Sequence, residues 1–132
     1  HLLAAEPEDA RAIDDAAESA FHVARSLTAL GRPREAQRLA EVALERWRNL
    51  VATDAANVHW QEALAQSLTD AARREARAGA RAAALALLGE AIALRVALDV
   101  SHPGFANNGA RLAEARLLLD ALRAHRALPA PD

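Results

Sequence analysis

Apolar and small residues return every three or four positions along most of this chain, with charged residues filling the gaps. Leu39, Val42, Ala43, Trp47 and Leu50 make one such stripe, with Glu41, Glu45, Arg46 and Arg48 between them. That is the period of an α-helix with one face turned inward. No segment alternates at the two-residue period of a strand. The breaks divide the pattern into five predicted helices. The first covers about 8–30, with Pro7 in its opening turn and Gly31 able to take positive φ just past its end. The second opens at Pro33 and runs to about 52. Asp54 is the expected N-cap of a third helix ending near Gly79. The fourth covers about 81–100 and stops at Ser101-His-Pro-Gly104. Asn107 or Asn108 is expected to cap a fifth, which ends before Pro129. The predicted class is all-α.

Laid over itself, the chain matches best at an offset of 48 residues. Gly31 falls on Gly79, Leu39 on Leu87, Leu44 on Ile92, and Ala36 and Ala43 on Ala84 and Ala91. Leu2, Leu50 and Leu98 form a triple, as do Ala17, Ala65 and Ala113. Self-similarity at a period of tens of residues marks a solenoid, whose units bury their apolar faces against one another. The expected organisation is therefore about two and a half repeats of antiparallel helix pairs. Residues 1–6 end a preceding helix, 7–54 and 55–102 are two repeats, 103–128 is a half repeat acting as a capping helix, and 129–132 is a tail. Leu2 aligns with positions late in second helices, so the chain reads as a piece cut from a longer array.

Composition sharpens this picture. The 132 residues include 37 Ala and 20 Leu, all 16 basic residues are Arg, and Phe21, Trp47, Trp60 and Phe105 are the only aromatics. Ala, Leu, Arg and Glu are all strong helix formers. No cysteine is present, so neither a disulfide framework nor a thiolate metal site can form. A net charge of −2 with both signs interspersed argues against binding driven by nucleic-acid phosphates. No apolar run approaches the roughly 20 residues that a membrane-spanning helix needs.

Small residues where two helices of a unit meet, with glycine in the turn, resemble the tetratricopeptide repeat (TPR) family in its longer variant. They are Ala24, Gly31, Ala36 and Ala43 in one unit and Ala72, Gly79, Ala84 and Ala91 in the next. The run Asp54-Ala-Ala-Asn57-Val-His-Trp60, followed by Leu64-Ala65, is similar to the inter-repeat signature of long arrays on bacterial signalling proteins, including some serine/threonine kinases. The resemblance implies a TPR-like α-solenoid that binds proteins or peptides in a concave groove lined by first helices. Its groove positions map onto Glu18, Phe21 and Arg25, then Gln66, Thr69, Arg73 and Arg77, then Glu114 and Leu117. Arg25 and Arg73 lie one repeat apart, and two such guanidiniums would hold a carboxylate or an acidic peptide. The competing reading pairs these arginines with nearby acids on a solvated face, Asp70 preceding Arg73 and Arg74 by three and four residues.

Enzyme chemistry finds little support. No two of His1, His22, His59, His102 and His125 share a helix face at i, i+3 or i, i+4, and no zinc-ligand spacing or phosphate-cradling glycine loop occurs. Six carboxylates between Glu6 and Glu18 read as a solvated helix face, since the spacing of a calcium loop is missing. Trp47 and Trp60, flanking the turn between units, read as core. The expectation is a non-catalytic interaction module without cofactor or metal, belonging to a larger bacterial signalling protein, either cytoplasmic or periplasmic. The alternative is a structural module that self-associates, as a homodimer, through exposed solenoid ends.

Overall fold

The computed structural model describes residues 7–125. The expectations for 1–6, for 126–128 and for the tail at 129–132 lie outside the described residues. Five α-helices account for most of the described chain: α1 (Pro7–Ala29), α2 (Pro33–Thr53), α3 (Val58–Arg77), α4 (Arg81–Ser101) and α5 (Asn108–Arg123). A short 3₁₀ turn, Phe105–Asn107, precedes α5, and no strand occurs among the described residues. The protein is all-α. Its residues form two compact units, one ending at Ser67 and the other beginning at Leu68, so that α3 gives its first half to one and its second half to the other.

Each unit is built on close helix packing. In the first, α1 and α2 form a hairpin, and Ala17 and Ala24 of α1 and Ala36, Ala40 and Ala43 of α2 are all buried. Side chains this small let helix axes approach closely, so that dispersion between backbones replaces the bulk of larger residues. In the second unit, Ala72, Ala84, Leu88, Ala115, Leu118 and Leu122 form one apolar cluster from the second half of α3, α4 and α5. Arg81 closes the end of α5: its Nε donates to the Leu122 carbonyl at 2.7 Å and its Nη2 to that of Arg123 at 3.2 Å. The Leu122 carbonyl also accepts from His125 N–H at 3.3 Å, and both carbonyls belong to the last turn, where a helix has no N–H of its own to offer. α5 thus ends at Arg123, earlier than the apolar pattern suggests.

The two glycines at the 48-residue offset occupy matching turns. Gly31 has φ +78° and Gly79 φ +84°. Around the first, Arg32 N–H donates to Leu27 O at 2.9 Å and Gly31 N–H to Thr28 O at 3.1 Å. Around the second, Ala80 N–H donates to Glu75 O at 2.8 Å and Gly79 N–H to Ala76 O at 3.1 Å. Both are Schellman turns, bond for bond. At the next junction the expected cap moves. Asp54 ends α2, its Oδ1 accepting from Ala56 N–H, while Asn57 Oδ1 accepts from Trp60 N–H at 3.1 Å and caps α3. Asn107 precedes α5 with left-handed backbone and no side-chain cap bond, and Asn108 is drawn inward.

Two glycines should therefore respond with opposite signs to the same substitution. Gly79→Ala places a side chain at positive φ and should cost about 1 kcal/mol. Gly89 lies within α4 with open space where a Cβ would sit, so Gly89→Ala should stabilise by up to ~1 kcal/mol. Urea denaturation of the two variants reads both signs directly. Ala43, fully buried, should not accept bulk: Ala43→Phe should cost ~1–3 kcal/mol, seen as a lowered midpoint in the same titration.

Candidate functional site

In the first unit, the α3 cap determines where the largest polar-tipped side chains go. Asn57 fixes the first turn of α3, and Gln61 Nε2 donates to the Ala55 carbonyl, which closes the loop beneath it. Trp60, one turn into the helix, is half-buried and turns its indole toward α1. Its Nε1 donates to Asp14 Oδ2 at 3.3 Å, across 46 residues of sequence. That bond fixes the carboxylate of Asp14 beside the aromatic face.

Around this pair lies an open cleft of about 470 Å³. α1 supplies Asp14, Asp15, Glu18 and Phe21, and α2 supplies Trp47. The first half of α3 supplies His59, Trp60, Glu62, Ala63 and Gln66. A shallower recess of about 370 Å³ shares Asp14, His59 and Trp60 and extends past Asn57 to Ala10 and Arg11. The two make a trough along α1 from Ala10 to Phe21, a rise of about 16 Å at 1.5 Å per residue. An extended peptide advancing about 3.3 Å per residue would place roughly five residues in it.

The walls differ in how firmly they are held. Trp47 is 2% exposed, and its buried indole N–H has no hydrogen-bond partner. Phe21 is half-buried, with the Arg25 guanidinium carbon 4.6 Å from its ring centroid, a cation–π contact. His22 meets the edge of the same ring at a centroid distance of 5.6 Å and places Nε2 3.3 Å from Glu18 Oε2. His59, Glu62 and Gln66 each have an interaction within the chain as well. Four carboxylates and three aromatic rings thus share one concave surface.

The residues named from the sequence divide between the units. Glu18, Phe21 and Gln66 stand in the trough wall, and Arg25 lies over Phe21. In the second unit Arg73 is buried, with Nη2 2.9 Å from Glu114 Oε2, so two named residues meet as an ion pair joining α3 to α5. Any anion reaching Arg73 would have to compete with Glu114. Thr69 is buried, while Arg77 and Leu117 are exposed. The sequence pattern does not single out Asp14, Asp15, His59 and Glu62, and it assigns Trp47 and Trp60 to the core; Trp47 is buried as expected, while Trp60 is half-buried. The helical period identifies each as surface or core but carries no information about which residues of separate helices face one another.

The repeat offset supplies a contrast. Trp47 corresponds to Arg95, and Trp60 to Asn108. In the second unit that pair is buried and bonded both ways: Arg95 Nη1 donates to Asn108 Oδ1 at 3.1 Å, and Asn108 Nδ2 to the Arg95 carbonyl at 2.8 Å. Where the first unit has rings bordering a cleft, the second has a satisfied polar contact. Among the described residues no group of three His, Asp or Glu side chains could hold a metal ion, and no helix is long and apolar enough to cross a membrane.

The chain was compared with protein-family models, curated proteins and solved structures. Nothing matches in any of the three.

The Arg73–Glu114 pair has a measurable consequence. Glu114→Leu leaves the buried guanidinium without this partner and should cost about 2–4 kcal/mol. Adding Arg73→Met should restore most of that loss, since a well-packed apolar pair avoids desolvating either charge. Urea denaturation of the single and double variants measures both steps.

Proposed function

We propose that this chain is a non-catalytic, TPR-like helical-repeat module that binds a peptide or protein segment. The observation that carries the reading is the open trough of the first unit. It is long enough for about five extended residues, lined by Phe21, Trp47 and Trp60, and flanked by hydrogen-bonding side chains. Aromatic anchors in a concave surface supply affinity, while polar groups at the rim supply register. The matching Schellman turns at Gly31 and Gly79, together with buried alanines at the same offset, support the solenoid of two and a half 48-residue repeats that the sequence suggests. On this reading the trough is a first-helix surface of the kind such arrays use. The module would then serve as a docking arm of a larger bacterial signalling protein.

Selection from a displayed random-peptide library against the whole chain tests the reading. Peptides sharing a short motif should be enriched. They should quench or shift tryptophan emission saturably, and bind a Phe21→Ala, Trp60→Ala double variant at least tenfold more weakly. Failure to enrich any motif, or equal binding to the double variant when circular dichroism shows it folded, would remove the proposal.

A further inference from the structure

Resting on that peptide-binding reading, we infer that the occupant of the first unit's trough is a basic peptide, with an arginine or lysine side chain lying among its rings and carboxylates. Asp14, Asp15 and Glu18 enter the cleft from α1, and Glu62 faces them from α3. Phe21 and Trp60 border the same space, and aromatic faces attract cations that have shed part of their hydration. A guanidinium suits such a place, because its plane stacks on a ring while its edge donates two parallel bonds to a carboxylate. Asp14 is already oriented for this, one oxygen accepting from Trp60 at 3.3 Å and the carboxylate held at the cleft wall. The chain itself uses the same chemistry nearby, where the Arg25 guanidinium lies over Phe21.

The extent of the site adds a second observation. The cleft and the recess beside it share Asp14, His59 and Trp60 and run along α1 from Ala10 to Phe21, room for about five extended residues. The carboxylates ask for a cation and the length asks for a chain, so together they select a basic peptide over a small amine. This reverses the sign of the partner suggested by Arg25 and Arg73, because Arg73 meets the Glu114 carboxylate within the chain.

The test uses fluorescence anisotropy on the full chain with labelled seven-residue peptides alternating leucine with arginine, with citrulline, or with glutamate. The arginine peptide should bind best, weaken as salt is raised, and lose at least tenfold when citrulline removes the charge. Asp15→Asn with Glu18→Gln alters two exposed carboxylates and should weaken it about tenfold without moving the melting midpoint. Equal binding of the arginine and glutamate peptides, or an unaltered affinity in the Asp15/Glu18 variant, would overturn the inference. So would agmatine competing as tightly as the peptide, since it carries the guanidinium but no peptide chain. If library selection yields trough-binding peptides that are neutral or acidic, the basic occupant is wrong and the peptide-binding reading stands. If it yields none, both fail.

Discussion

Two helices can approach only as closely as the side chains between them allow, and in this protein those side chains are mostly methyl groups. Ala17, Ala24, Ala36, Ala40 and Ala43 are all buried in the first unit, and Ala72, Ala84, Ala91 and Ala115 in the second. Each alanine removes little apolar area from water, so the contact depends on density, with many weak dispersion contacts between near backbones. A close contact of this kind leaves little slack. It requires short connections, and the Schellman turns at Gly31 and Gly79 provide them with three residues or fewer between helix ends. Bulk comes from a few larger side chains, Trp47, Leu50, Leu88 and Leu98, which are buried as well.

Equivalent positions in the two units then take different chemistry. Trp47 and Trp60 border an open cleft in the first. Arg95 and Asn108, one repeat later, bury themselves and satisfy each other. A guanidinium with a flexible stem can fill an irregular space and still reach a side-chain carbonyl, whereas the Trp60 indole stays half-buried at the cleft. The turns at Gly31 and Gly79 match, while the chemistry 48 residues apart at these two positions does not. One junction is closed by hydrogen bonds, and the other leaves rings and carboxylates on a shared surface.

How far the sequence alone carries depends on the range of each interaction. Gly31 and Gly79 were legible because positive φ at a helix end is a local demand that few residues meet. The buried alanines were legible because a repeat offset aligns them in pairs. The cap of α3 was not, since Asp54 and Asn57 are both capable and only the loop decides that Asp54 ends one helix and Asn57 starts the next. Arg73 shows the same limit. Its bond to Glu114 forms across 41 residues, a distance that local helical spacing does not announce. The trough belongs to this last kind, because Trp60 and Asp14 are joined only by the fold.

The carboxylates of α1 show why that trough reads as a site rather than an ordinary solvated face. Asp14 and Glu18 stand four residues apart on one helix, a like-charge spacing that opposes helix formation by a few tenths of a kcal/mol. They lie two turns or more beyond the start of α1 at Pro7, too far in for the helix dipole to reward them, since that effect fades within the first turn. Partial relief comes from His22 beside Glu18 and Trp60 beside Asp14. Glu62 nevertheless brings another acid to the same concavity from α3. A scaffold made almost wholly of residues that favour helix has gathered, at one place, like charges that repel one another. Local choices that cost stability without a structural return are where function is to be sought, and a cation seated among these acids would turn the repulsion into binding energy.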